Sequence, residues 1–281
     1  SYSPKNLARC PTVRDEFSMA ELKEFTGSVA VVVSSCDGFF DAWRPFHAFL
    51  QKFWGDCPLE IFLLTNKFEA RSPFLCAIAV GEDRGWSSNL LLALERISHS
   101  YVLYFQEDYF LTAPVVRDQL AEDFAYIIDS GADSLCFRAR SQPDPGFQPQ
   151  NNRFGIVPLT SDGRTRCQVT LWKKSALQSI LRPQESAWDF EARGSSRTQE
   201  MQILSYTSRA NTPIPYLMSA ISRGLWMPEA IALCRQEQVM IDPFFRPVFS
   251  GKPWARRIRR ALGRVRLRHA LRQQADGIIE L

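Results

Sequence analysis

The sequence predicts an α/β fold, a Rossmann-like and mostly parallel central sheet flanked by helices. Two observations carry this. Residues 29–33 (VAVVV) and 101–105 (YVLYF) stay apolar on consecutive positions, the pattern of strands covered on both faces. Between such runs lie segments whose apolar residues recur at helical spacing, and strand–helix alternation is the grammar of a doubly wound sheet. Five or six strands are too few for an eight-stranded barrel. At 281 residues and 45% hydrophobic content the chain can bury a large core.

Residues 1–27 read as an irregular lead-in with a short helix near 19–25. The run 28–34 is the first strand and stops at Ser34-Ser35-Cys36-Asp37-Gly38, turn-forming residues. Residues 39–54 place Phe39, Trp43, Phe46, Phe49, Leu50 and Phe53 on one helical stripe. Strands follow at 59–66 and 74–81, a helix at 87–98, and the strand at 101–105, which runs into Gln106-Glu107-Asp108. Beyond it come a helix at 115–130, a strand at 134–139, a Pro-, Gln- and Asn-rich loop at 141–152, a strand near 166–172 and a helix at 174–181. The organisation expected is a lead-in (1–27), one catalytic domain (28–251) with halves 28–114 and 115–251, and a tail (252–281).

Several function classes lose their support. There is no GxGxxG after the first strand, no GxxxxGK[ST] and no GxSxG. The three histidines, 47, 99 and 269, are dispersed, and His47 and His99 read as structural. Seven cysteines (10, 36, 57, 76, 136, 167, 234) are scattered without CxxC spacing, which indicates reduced thiols rather than a disulfide framework or a zinc site. No apolar run is long enough to span a bilayer, and the first residues are too polar for a secretory signal, so a cytoplasmic location is expected.

If the strands are parallel, the loops after them open on one rim, where open α/β sheets bind ligands. The residues on that rim are Ser34, Ser35 and Asp37 on the first loop, Asn66 on the second, Asp83, Trp86 and Ser87 on the third, and Gln106, Glu107 and Asp108 on the fourth. Short hydroxyls and carboxylates can hold a ribose or a base edge, and Trp86 can stack. A strand-end carboxylate can hold a divalent cation that offsets phosphate charge. For each loop residue taken singly, turn chemistry is the competing explanation.

The order "SSCDGFFDAWRPF", "CPLEIFLLTN", "DRGWSSNLLLALERI", "YVLYFQEDYFL" resembles GT-A type glycosyltransferases, in particular bacterial ones that build surface polysaccharide or lipopolysaccharide. The likeness covers roughly residues 28–245 and takes in "CQVTLWKKSALQSILRPQESAWDFE" and "PYLMSAISRGLWMPEAIAL". It implies a nucleotide-sugar donor, with UDP-sugar the expectation, a glycan or glycolipid acceptor, and Mn²⁺ or Mg²⁺ at a strand-end DxD motif. Here the motif is Gln106-Glu107-Asp108. Asp108 matches the last Asp, with Glu107 as a second metal-binding candidate. Gln106 supplies no charge to an ion, so metal-independent transfer stays open.

Inverting transfer needs one carboxylate to take the acceptor proton. In "SAWDFEARGSS" Glu191 is the first choice and Asp189 the second, with Trp188 a sugar-stacking wall; a helix start capped by Ser186 is the alternative for this segment. Residues 252–272 hold nine Lys or Arg and no acid. On a helix they form a basic amphipathic element suited to an anionic membrane surface, which would place the enzyme peripherally on the inner face. Packing of the apolar stripe on the body competes with this, and nucleic-acid binding is weaker because interleaved aromatics are absent. Two rivals to a glycosyltransferase stay open, a sugar-phosphate nucleotidyltransferase and a non-catalytic membrane- or nucleic-acid-binding adaptor.

Overall fold

The computed structural model describes residues 21–140, 144–273 and 277–281. Most of the expected lead-in, Cys10 and the start of the 141–152 loop lie outside the described residues.

The first half alternates as expected: β1 (Val29–Ser34), α1 (Phe40–Trp54), β2 (Ile61–Thr65), β3 (Glu69–Arg71), β4 (Cys76–Ala79), α2 (Trp86–Arg96) and β5 (Tyr101–Gln106). The second half adds α3 (Arg117–Ser130), β6 (Ser134–Cys136), β7 (Gln148–Pro149), β8 (Phe154–Ile156), β9 (Thr170–Lys173), α4 (Lys174–Ile180), α5 (Ala187–Arg193) and β10 (Ile203–Tyr206). A small hairpin, β11 (Ile221–Ser222) and β12 (Leu225–Trp226), leads to α6 (Pro228–Gln236). The chain closes with α7 (Pro253–Gln273) and β13 (Ile278–Glu280).

Nine strands form the main sheet in the order β4-β2-β1-β5-β9-β6-β10-β8-β7. Strands β4, β2, β1 and β5 are parallel. β9 enters antiparallel between β5 and β6, and β10 lies parallel to β6. Nine strands rather than five or six are present because β7, β8 and β10 are too short to announce themselves by periodicity. The expected halves share this one continuous sheet.

Consecutive apolar residues in β1 serve two cores. Val29, Val31 and Val33 pack with Trp43, Phe46 and Phe49 of α1 and Phe124 of α3, whereas Ala30 and Val32 pack with Leu90 and Leu94 of α2 and Leu177 of α4. Period-2 side-chain geometry makes any such strand two-faced, and both faces here are covered. His47 and His99 are buried structural residues, His47 bonded to Ser72 Oγ (2.8 Å) and His99 to the Thr26 carbonyl (3.0 Å). The six described cysteines are free.

The tail is helical as expected, yet it is not a detached element. Ile278, Ile279 and Glu280 of β13 pair in parallel with Glu69, Ala70 and Arg71 of β3. Ile279 is buried, and Arg44 Nε donates to the Glu280 carbonyl (2.9 Å). Helix α7 lies against residues 244–249 with Gly263 at the contact, where a Cβ would come within 2.7 Å of Pro247 Cδ. Arg259 Nη1 donates to the Val248 carbonyl (2.9 Å), and the guanidiniums of Arg256 and Arg266 lie over the Phe249 and Phe244 rings. The apolar stripe is therefore left outside: Trp254 is 65%, Ile258 53%, Leu262 49% and Val265 65% exposed. Among the described residues no helix is long and apolar enough to cross a membrane.

Candidate active site

The chain passes from β1 outward to β2 and β4, then crosses back to β5 on the other side of β1. That reversal makes the β1–β5 crevice the topological switch point, where ligands of open α/β sheets bind. Ser34 and Gln106 are register partners at its edge. The loops carrying Cys36-Asp37 and Glu107-Asp108 leave the sheet side by side.

Two of the rim residues serve chiefly as a frame. The Asp37 carboxylate accepts from the backbone N–H groups of Asn66 (2.8 Å), Lys67 (2.8 Å) and Phe68 (3.2 Å), while Asn66 Oδ1 accepts from the Asp37 N–H (3.1 Å). This reciprocal tie locks the first two loops together and leaves Asn66 Nδ2 as a buried donor without a partner. Ser87 is fully buried, behind the rim. Ser35 Oγ accepts from Trp43 Nε1 (2.8 Å). Asp83 bonds Gly85 N–H (3.0 Å) and Asn89 Nδ2 (2.8 Å), shaping the turn into α2, where Gly85 adopts φ 88°.

The floor of the crevice centres on Tyr104, which the sequence reading missed because it looks like any other strand aromatic. Its buried hydroxyl accepts from Trp86 Nε1 (3.0 Å) and Gln106 Nε2 (2.9 Å). Trp86 also tilts against Phe190 of α5, with ring centroids 5.3 Å apart. The third rim loop, the QED strand end and the WDFE helix are thus joined through one indole.

Glu107 and Asp108 are both buried at the strand end. Asp108 Oδ2 accepts from Ser219 Oγ (3.0 Å) and from Ile221 N–H (3.1 Å). Its Oδ1 makes no hydrogen bond to another described residue. Burial pushes the Asp108 carboxyl up to about 6, against those two hydrogen bonds, which favour the ionised form. Burial first, then the charge of Asp108, hold Glu107 well above the ordinary carboxylate range. Arg246 is the cation that bears on both. It is itself buried and engages Asp41 through two bonds (3.0 and 3.1 Å). Cys36 sits beside Glu107 and Asp83; burial, then those two charges, push its thiol up to about 12, so it stays protonated. Nothing in the sequence marks Arg246 or Cys36.

Among the described residues no group of three or more His, Cys, Asp or Glu is placed to hold a metal ion. Two adjacent carboxylates are nonetheless a hard oxygen pair of the kind that binds Mg²⁺ together with substrate phosphates. Their raised protonation fits as well, because a cation placed between them would offset the charge that burial disfavours. A divalent ion at this strand end would have to be held by Glu107 and Asp108 together with substrate phosphates.

In α5, Ser186 and Asp189 form the capping box that the helix-start alternative expects: Asp189 N–H donates to Ser186 Oγ (3.2 Å) and Ser186 N–H to Asp189 Oδ2 (3.1 Å). Trp188 is 78% exposed. Glu191 points the other way. Its Oε1 accepts from Cys167 N–H (2.7 Å), and it lines a hollow of 310 Å³ with Thr165 and Arg166. Cys167 lies against Tyr104 and its carbonyl accepts from the Tyr109 hydroxyl, so Glu191 is tied to the loop over the β5 strand end.

No family model matches the chain, and no curated protein matches it. Among solved structures it is similar to the crystal structure of S. aureus TarS 1-349 in complex with UDP, at 13% identity and TM-score 0.44, over 67% of this chain and 58% of that one. It is also similar to a CMP:2-keto-3-deoxy-manno-octonic acid synthetase complexed with CTP (10% identity, TM-score 0.41, 76% of this chain and 100% of that one). A third is UDP-glucose pyrophosphorylase complexed with UDP-glucose (6% identity, TM-score 0.43, 64% and 90%). The chain spans under three fifths of the length of that TarS structure.

Proposed function

We propose that this protein is a glycosyltransferase that moves a sugar from a nucleotide-diphosphate donor, a UDP-sugar, to a glycan or lipid-linked glycan. The observation that carries the proposal is the buried Glu107-Asp108 pair at the β1–β5 switch point, with Asp108 Oδ2 anchored and Oδ1 left open. In this reading Asp108 Oδ1 and Glu107 hold Mn²⁺ or Mg²⁺. When bound, the ion offsets the charge of the diphosphate as it leaves. Asn66 Nδ2 offers a buried donor that a nucleotide oxygen would satisfy. Ser34 and Gln106 sit at the crevice edge beside it.

Glu191 is the acceptor base in preference to Asp189, whose carboxylate closes the helix cap. Oε1 is fixed by Cys167 N–H, which supports this reading by leaving the second oxygen of Glu191 for a proton from an acceptor hydroxyl. An amide oxygen in Glu191→Gln keeps the Cys167 bond but cannot take a proton. Turnover is expected to fall by about 10²- to 10⁴-fold. UDP affinity and melting temperature stay at the wild-type level. Steady-state kinetics beside calorimetric UDP titration checks this; wild-type turnover in the variant would remove Glu191 from the role. UDP rather than pyrophosphate as the released product separates a glycosyltransferase from a nucleotidyltransferase.

The protein works, in this proposal, on the inner face of a membrane through α7. The stripe of Trp254, Ile258, Leu262 and Val265 faces solvent and is flanked by arginines, which complements anionic headgroups. Each Lys or Arg near such a surface contributes on the order of 1 kcal/mol. Replacing all four apolar residues by Ser should leave the fold intact, since none is buried. It should also reduce binding to phosphatidylglycerol-containing vesicles by at least about a hundredfold. Co-sedimentation measures this, and unchanged binding would reject the membrane role. Deleting 252–281 is a poorer test because it removes β13 from its pairing with β3.

A further inference from the structure

A second charged group stands on the same rim, on the side of the sheet beyond β9. Arg138 follows β6, Arg209 follows β10, and Arg166 lies in the loop that enters β9. Because β6 and β10 are parallel neighbours and β9, between β5 and β6, runs antiparallel to them, all three arginines emerge at the C-terminal ends of the parallel strands. Arg166 Nη1 donates to the Arg138 carbonyl (2.9 Å), and Ser205 Oγ donates to the same carbonyl (3.2 Å), which fixes the loops against one another. Among the described residues none of the three forms an ion pair with a carboxylate. Burial, then the charges of Arg209 and Arg166 acting against the nearby Tyr216 hydroxyl, leave the Arg138 pKa lowered. Arg138 thus stands half-buried at a sheet edge shared with two further arginines and has no carboxylate paired to it, an arrangement that a bound oxyanion would relieve. Of the acids lining the hollow beside Arg166, Asp144 pairs with Arg140 and Glu191 is bonded to Cys167 N–H, while the Asp162 carboxylate forms no ion pair with any of the three arginines.

Arg166 and Glu191 line one hollow. The acidic pair and the arginines are separated by Tyr109 and Tyr216, whose rings pack 5.3 Å apart. The rim is thus divided into an acidic half suited to a cation and a diphosphate and a basic half next to the candidate base.

We propose that Arg138, Arg166 and Arg209 form an oxyanion-binding subsite that takes a phosphate or carboxylate group carried by the acceptor. It rests on the glycosyltransferase reading for the word acceptor, and the oxyanion could otherwise come from the donor diphosphate. Guanidinium forks suit either oxyanion bidentately.

Calorimetric titration of inorganic tripolyphosphate, with UDP present at saturation, tests the subsite in wild type, Arg209→Gln and the Arg138→Gln/Arg209→Gln pair. Loss of each charge-assisted contact is expected to weaken tripolyphosphate binding about tenfold, and the pair about a hundredfold. UDP affinity measured alone should stay within about twofold, as for sites without shared partners. Arg209 is exposed, so its variant folds as the wild type does; matching melting curves confirm this. Unchanged tripolyphosphate affinity in both variants overturns the subsite. A parallel loss of UDP affinity assigns the arginines to the donor and overturns the acceptor role. If wild type binds no UDP, the proposed function fails, while the tripolyphosphate titration still decides whether the arginines bind an oxyanion.

Discussion

Asp108→Asn is expected to abolish donor hydrolysis and sugar transfer and, at pH 8, to melt at a higher temperature than the wild type. Both protein hydrogen bonds to this side chain end on Oδ2, so an amide oxygen in that place retains them. What the variant loses is the charge and the open Oδ1. The folded carboxyl titrates at about 6, above its ordinary 3.8, and burial is the cause. Between those two values the folded chain holds a proton that the unfolded chain has released. Stability is therefore full below pH 4, falls as pH rises to about 6 and stays reduced above it. The loss is about 3 kcal/mol, and an amide does not incur it. For a chain of this size that corresponds to a rise on the order of 5 to 10 °C at pH 8, with the two proteins melting together at pH 4. Scanning calorimetry across pH, beside a turnover assay, checks both halves. Full activity, or identical melting at pH 8, would contradict the role given to Asp108.

Arg246→Ala is expected to destabilise the fold strongly. The Arg246–Asp41 pair is bidentate and both side chains are nearly inaccessible, at 6% and 2% exposure. Arg246 also donates to the Gly38 carbonyl (3.0 Å) and lies over the Phe39 ring. Truncation leaves Asp41 buried without a counter-charge, which destabilises by about 3–5 kcal/mol. A fall in melting temperature on the order of 10 °C should result. Asp41→Asn combined with Arg246→Met removes both charges and should recover most of it, because the penalty comes from the orphaned partner. Arg246 also faces Glu107 and Asp108, so the single variant should bind Mn²⁺ differently from the wild type even below its melting range. Wild-type melting of Arg246→Ala would show that the pair contributes nothing.

Most of the first half of the fold was legible because β1, β2 and β5 are covered on both faces and the helices α1 and α2 carry apolar residues at helical spacing. The runs at 29–34 and 101–106 could be located within a residue or two for that reason. In the C-terminal half α3, β6, β9 and α4 were legible in the same way, whereas β7, β8, β11 and β12 were not, since they are two or three residues long and too short for any period. β13 and β3 escaped for a further reason: each is a strand only because the other is beside it, across some two hundred residues. The acidic pair was visible because charges at the end of an apolar strand are conspicuous. The roles of Asp37 and Asp189 were ambiguous in one dimension, because the same short acidic side chain caps a helix, ties a loop or meets a ligand. Arg246, Tyr104 and the Arg138, Arg166 and Arg209 group left no local mark, since their meaning comes from what distant segments bring against them.

The most direct measurement is a crystal structure of the protein with UDP and Mn²⁺ bound. The diphosphate is expected in the β1–β5 crevice, with the ion between it and Asp108 Oδ1. UDP bound elsewhere, with the crevice filled only by water, would contradict the assignment of that strand end.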